Sequence, residues 1–255
     1  MFYKLFSVLL LIGVLTNFSA SEKRHAPATI FASGNNKFVL PVFVENFYRK
    51  YPDSRVVIQY GASGDLASSI MNDVSYDIFL SANMSYPQNI YRAGKAVYPP
   101  KEYARGSLIL FVPADNAFHQ KKLKVLKNKN IKHITIANKK TAPYGMATLD
   151  ALKKSKLLDS IKDKIRYSTD ISTVITNVIW YDDAGFLSKS AVHSLPMAYR
   201  KEGVNWIEVD QNLYNPIIQG YVVSKEGSEN INVQRFIEYL HSQEGRDIYR
   251  EYGYK

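Results

Sequence analysis

The 255-residue sequence contains no cysteine. That absence removes disulfide bridges, thiolate catalysis and Cys-ligated metals together, and it excludes a lipid-anchored cysteine at the N-terminus. Histidine is scarce as well. His25, His119, His133, His193 and His241 are scattered, with no HExxH or other paired-histidine spacing for a metal. There is no GxSxG elbow for a hydrolase nucleophile, no Gly-Lys-Ser/Thr phosphate loop, no RNP-like aromatic box and no zinc-finger spacing. Low-complexity stretches, solenoid-period repeats and Pro-rich linkers are missing too.

Acidic residues are in the minority, 23 Asp and Glu against 33 Lys and Arg, for a formal net charge of +10. The excess is spread along the chain, with one local cluster at KKLKVLKNKNIK, residues 121 to 132. This cluster reads as a solvated basic helix or loop. A nucleic-acid partner is not expected, because no recognition motif accompanies the charge. Adjacent Asp182 and Asp183 follow a helical pattern and precede Gly185, so they read as a polar turn rather than an acid–base pair. The 19 Tyr and 12 Phe raise the alternative of sugar stacking by an enzyme or lectin. Most of them fall at helix or strand spacing, as core or amphipathic surface. Nothing specific supports catalysis, and the chain is not expected to be an enzyme.

The long apolar run that is present lies at the N-terminus. MFYKLFSVLLLIGVLTNFSASEKRH has one early Lys, an apolar stretch from Leu5 to Leu15, small residues at Ser19, Ala20 and Ser21, then charge. This is the layout of a cleavable signal peptide over residues 1–21, with an uncleaved anchor as the alternative. An exported protein without disulfides suits a bacterial periplasm.

From residue 26 onward, strand-like and helix-like periods alternate. ATIFAS, RVVIQYGAS, YDIFLSAN and GSLILFVPAD read as strands, separated by the helical patterns FVLPVFVENFYRKY, DLASSIMND and PQNIYRAG. HITIAN, KIRYST and AGFLSKS continue the rhythm, with helices expected in MATLDALKKSKLLDSI and ISTVITNVIWYDD. IIQGYVVSK is a further strand, and the helical end of the chain is expected to break around Gly245. The pattern predicts an α/β fold of two lobes, each with a mostly parallel sheet, and a ligand cleft between them. The expected boundaries are 26–111 and 215–255 for the first lobe and 112–214 for the second.

Four strand-to-helix junctions share one chemistry: ASGNN (32–36), GASGD (61–65), KTAPYGM (140–146) and STDIS (168–172). Each is rich in residues that cap helices. A helix start leaves backbone N–H groups unpaired and carries roughly half a positive charge. Several starts converging on one cleft would form a donating but uncharged cage for an anion. Gly34, Gly61, Gly64 and Gly145 would let backbone approach a small guest. Ordinary capping explains any one junction taken alone.

In order and spacing, ASGNN, YGASGDLASSI, YDIFLSAN, GSLILFVP, KTAPYGMATLDAL, AGFLSKSAV and IIQGYVVSKE through RFIEYLHSQEGRDIYREYGY resemble the periplasmic molybdate-binding proteins of ABC transporters. The resemblance runs from about residue 28 to residue 253. It implies a type II solute-binding fold that closes on tetrahedral molybdate or tungstate and hands it to an inner-membrane permease. It implies a monomer with no resident cofactor. The metal would be held as its oxyanion through Asn35, Ser63, Tyr144 and Ile171, with no direct protein–metal bond.

Carried over position by position, Asn35 falls on the donor after the first strand, with Ser33 and Asn36 as alternatives. Ser63 falls on a serine that donates through hydroxyl and backbone N–H. Tyr144 and Ile171 fall on backbone donors at two helix starts. Ser188 falls near a tyrosine contact of some relatives, and Lys37 and Asp65 are expected to face solvent. Uncharged donors select a guest by size and acceptor geometry, because an ill-fitting anion leaves charge-assisted bonds unmade at about 1.5–3 kcal/mol each. Sulfate, thiosulfate or phosphate in the same fold, or a surface colonisation factor that reuses it, remain as alternatives.

Overall fold

The computed structural model describes residues 26–113 and 122–255. The expected signal peptide and the first lysine of the basic cluster lie outside the described residues. Two five-stranded sheets organise the chain. The first contains β1 (Ala28–Ser33), β2 (Val56–Gly61), β3 (Ile78–Ser81), β4 (Lys101–Gly106) and β10 (Ile217–Val223), in the order β2-β1-β3-β10-β4. The second contains β5 (Leu108–Phe111), β6 (Ile134–Ala137), β7 (Ile165–Ser168), β8 (Ala184–Ser188) and β9 (Trp206–Glu208), in the order β7-β6-β8-β5-β9. Strands β1, β2 and β3 run parallel, as do β6, β7 and β8, whereas β10 and β5 run antiparallel to their neighbours.

The strand read from GSLILFVPAD belongs to the second sheet, where Leu108–Phe111 pairs with β8 and β9. The chain therefore crosses between sheets at Ser107, about four residues before the expected boundary. It returns between Tyr214 and Ile217. Two short strands were not anticipated: β4 is an edge strand with three of its six residues exposed, and β9 has three residues. Edge exposure erases the apolar alternation that marks a strand in sequence.

Helices α1 (Leu40–Lys50), α2 (Ser63–Met71) and α3 (Ser85–Arg92) follow β1, β2 and β3. In the second lobe α4 (Pro143–Lys154) and α5 (Leu158–Ile161) join β6 to β7, and α6 (Ile171–Trp180) joins β7 to β8. Pro41 and Pro143 sit in first turns, where a missing N–H costs nothing. The expected single helix over 146–161 is interrupted at Lys156, which adopts φ 55°. After β10 come α7 (Lys225–Glu229), α8 (Ile231–Leu240) and α9 (Gln243–Glu251). The break between the last two lies at His241–Ser242 rather than Gly245, because the Ser242 hydroxyl caps the Gly245 N–H at 3.1 Å.

Apolar spacing explains how these helices seat. Leu40, Phe43 and Phe47 form the buried face of α1. Phe43 packs its ring 5.2 Å from Phe236 and 4.9 Å from Tyr239, joining α1 to α8. Each such ring contributes roughly 1.5–3 kcal/mol on burial. A second core cluster fills the second lobe and reaches across the junction to Phe38, Ala62, Ala82 and Ile217. The parallel strands thus end, and the helices that follow them begin, along the line where the lobes meet. Among the described residues no helix is long and apolar enough to cross a membrane.

Candidate functional site

A cavity lies where four helix starts face one another. Its wall is built from Ser33, Gly34 and Asn35 after β1, Ala62 and Ser63 after β2, Ala82 after β3, Ala142, Pro143 and Tyr144 after β6, and Asp170 and Ile171 after β7. Both lobes contribute, and no Lys or Arg lies on the wall.

Of the expected ligand contacts, Ser63, Tyr144 and Ile171 line the wall, within the first two residues of α2, α4 and α6. At that position a backbone N–H has no partner inside its own helix. The Ser63 hydroxyl accepts from the Ala82 N–H at 3.0 Å, so its own hydrogen stays available to a guest. Ile171 is apolar and offers only its main chain. Substitution by Val should leave anion affinity unchanged within about twofold, whereas Pro, which lacks the N–H, should abolish detectable binding. Equal losses in a calorimetric titration would remove the main-chain contact.

The junction after β1 behaves differently from the expectation. The Asn35 amide donates one hydrogen to Gln219 Oε1 and the other to Tyr254 Oη, both at 2.8 Å, and its Oδ1 accepts from Ser33 Oγ at 2.8 Å. That side chain has no donor left for a ligand. Ser33 lines the wall, but its hydroxyl hydrogen is likewise in use. Asn36 stands behind the wall, donating to Ser33 Oγ and Tyr103 Oη and accepting from Tyr249 Oη at 3.0 Å. What this junction can present is main-chain N–H from the 3-10 turn Gly34–Phe38. Ser188 also lies off the wall; its hydroxyl bonds Ser190 Oγ at 2.9 Å. Lys37 and Asp65 are exposed, as expected.

Behind the cavity these side chains form one buried polar network whose hub is Gln219. Its Oε1 accepts from Asn35 and from Tyr103 Oη, each at 2.8 Å, and its Nε2 donates to Tyr144 Oη at 3.3 Å. The network bridges the lobes, since Tyr144 and Ser190 belong to the second and Asn35, Gln219 and Tyr254 to the first. Burial raises the pKa of Tyr103, Tyr144 and Tyr249 well above the usual phenol value and pushes Tyr254 up to about 12. Their hydrogens therefore stay in place at physiological pH. Gly106, at the crossing, leaves room for this arrangement: a Cβ there would lie 2.1 Å from Tyr144 Oη.

Asp170 was not anticipated on the wall, and it corrects the picture of a cage made only of donors. It is the N-cap of α6, where Oδ1 accepts from the Ser172 N–H at 2.7 Å, the Ser172 hydroxyl at 2.6 Å and the Thr173 N–H at 3.1 Å. The carboxylate thus occupies the next two main-chain donors of the helix and leaves that of Ile171 to the cavity. The STDIS junction signalled a cap; which cap residue would face the guest was not legible.

The cavity mouth is closed by direct contacts between lobes. Gly64 N–H donates to Thr141 O at 2.8 Å, Tyr86 Oη donates to Lys140 O at 3.2 Å, and Thr141 Oγ1 donates to Asp65 Oδ2 at 3.4 Å. Two mixed sheets, two crossings and a cage of helix starts at their junction, with no Lys or Arg and the capping carboxylate of Asp170 on its wall, describe a protein that captures a small solute. A family model for bacterial extracellular solute-binding proteins matches residues 28–255. The chain belongs to that family.

This solute-binding protein is 32% identical over 202 residues to a molybdate-binding protein of Rhodobacter capsulatus, covering 78% of this chain and 77% of the relative. Its fold superimposes on the periplasmic molybdate-binding protein of Azotobacter vinelandii with a TM-score of 0.81 at 25% identity, covering 89% of this chain and 98% of that one. A sulfate-binding protein of Mycobacterium tuberculosis shares the fold at 14% identity, with a TM-score of 0.71 and coverage of 90% and 86%. As a member of a solute-binding family, the chain is a carrier and not an enzyme.

Proposed function

We propose that this protein captures molybdate, and tungstate equally, outside the cytoplasmic membrane and delivers it to an ABC importer. The observation that carries the reading is the Ser63 junction. Its hydroxyl hydrogen is unengaged, its N–H opens a helix, and it faces the starts of α4 and α6 across a wall without a cation. Such a site holds a dianion by aimed dipoles, with the helix termini supplying partial positive charge. The kinship with molybdate-binding proteins supports the choice of guest.

Selectivity follows from fit. The donors stand on rigid helix starts, so an oxyanion of the wrong radius leaves one or two bonds stretched, at about 1.5–3 kcal/mol each. Sulfate is the smaller tetrahedron and is rejected; tungstate, nearly the size of molybdate, is not. Ser63→Ala should weaken molybdate binding at least tenfold; it also leaves the buried Ala82 N–H without its acceptor, so the melting temperature should fall by a few degrees and affinity is measured where the variant is folded. Unchanged affinity would take Ser63 out of the site.

Asp170 supports one competing reading, in which a hydrogen-bearing oxyanion such as hydrogen phosphate donates to the carboxylate. Calorimetric titration with molybdate, tungstate, sulfate, thiosulfate and phosphate separates the two. Tight one-to-one binding of the first pair alone supports the proposal, and preference for phosphate supports the rival.

A further inference from the structure

The basic cluster and an exposed aromatic pair lie together on the end of the second lobe that faces away from the cavity. Strands β6, β7 and β8 run parallel and finish at the cleft side, so their first residues mark the opposite pole. Helices α4 and α6 begin at the cavity and run back to that pole, ending at Lys154 and Trp180. The segment KLKVLKNKNIK (122–132) leads into β6 there, with five exposed lysines and no acidic residue. Lys164 Nζ ties it to the start of β7 by donating to Leu126 O at 3.0 Å and Asn128 O at 2.8 Å. Asp183 Oδ2 ties it to the end of α6 by accepting the N–H groups of Lys132 and His133 at 2.8 and 2.9 Å. Next to that tie, Trp180 is 72% and Tyr181 74% exposed.

The charge is polarised between lobes. Residues 122–214 hold sixteen Lys and Arg against nine Asp and Glu, while the other described residues hold thirteen against twelve. Among the described residues, none of the five lysines of 122–132 is ion-paired. The pole lies far from the cavity mouth, so its charge does not serve to grip the captured anion.

We propose that this pole is a docking surface for a bilayer rich in anionic phospholipid. Two independent features select that partner. The cations of the segment are all lysines, compact and strongly hydrated charges suited to a fluid layer of phosphates rather than to the bidentate recognition that arginine provides. The exposed residues beside them are a Trp and a Tyr, whose amphipathic rings settle at headgroup level. Docking of this kind keeps the carrier at a membrane surface.

The test uses the exported protein and sedimentation with vesicles of phosphatidylcholine, with and without one-third phosphatidylglycerol. The chain has two tryptophans, and the other, Trp206, is only 5% exposed, so a change in emission reports on Trp180. At low salt the protein should sediment with the anionic vesicles only, with Trp180 emission shifted to the blue. Binding should be lost in about 0.5 M salt, where surface charge is screened. The variant K127Q/K129Q/K132Q should need at least about tenfold more anionic lipid for half-binding. Trp180→Phe should abolish the spectral shift and weaken binding. Equal binding to both vesicle types, an unshifted Trp180 in sedimented protein, or a triple variant that binds like the parent would each overturn the proposal. Unchanged thermal melting of the variants guards against loss of fold.

Discussion

Replacing Gly64 by Ala should lower anion affinity at least about tenfold and stop the lobes from closing. A Cβ at this position would lie 2.9 Å from Thr141 Cα and 2.6 Å from Tyr86 Oη. The tyrosine hydroxyl can swing aside, but the Thr141 main chain belongs to the opposite lobe and retreats only if the cleft opens. The same movement stretches the Gly64 N–H bond to Thr141 O, 2.8 Å long here. Overpacking of this kind costs typically 1–3 kcal/mol, and the penalty falls on the closed form alone. Small-angle scattering should show the parent contracting on addition of ligand and the variant staying extended, with the melting temperature of the unliganded protein unchanged. A variant that contracts like the parent would show that the lips do not meet as described.

The second large effect is expected at Gln219. Substitution by Leu keeps the volume but removes the acceptor of Asn35 and Tyr103 and the donor to Tyr144. Gln219 is fully buried, so at least one donor loses its partner without gaining water. The cost should be about 2–4 kcal/mol, a fall in melting temperature of roughly 5–15 °C for a chain of this size. Because Tyr144 also supplies main chain to the cavity, affinity should fall with stability. Thermal denaturation combined with titration at a temperature where the variant is folded measures both. A melting point within about 2 °C of the parent would mean that the hub is dispensable.

Much of the site could be read from residue order because its donors are tied to strand-to-helix junctions, and such junctions announce themselves through capping chemistry. Capping chemistry marked the junctions, the resemblance to molybdate-binding proteins singled out Ser63, Tyr144 and Ile171 within them, and all three line the cavity. Asn35 and Asn36 were not resolved by it, since an amide that donates to a ligand and one that donates inward to Gln219 or Tyr103 look alike in sequence. The signal for the network was a polar residue in the otherwise apolar run IIQGYVV, which marks a buried Gln in need of partners. Asp170 escaped because capping geometry, not residue type, decides which side of a cap faces a cavity. The fold was legible for strands buried on both faces, such as ATIFAS, and illegible for β4, whose exposed edge leaves no periodic trace.

The placement of β10 has a consequence for biogenesis. This strand, made after residue 216, inserts between β3 and β4, which were made more than a hundred residues earlier. The second lobe is contiguous and can mature as soon as its own stretch emerges, whereas the first stays an incomplete sheet until nearly the whole polypeptide is available. Long-range pairing of this kind is slow, so the nascent carrier should linger in a loosely structured form, the state in which a chain can be threaded across a membrane before it sets.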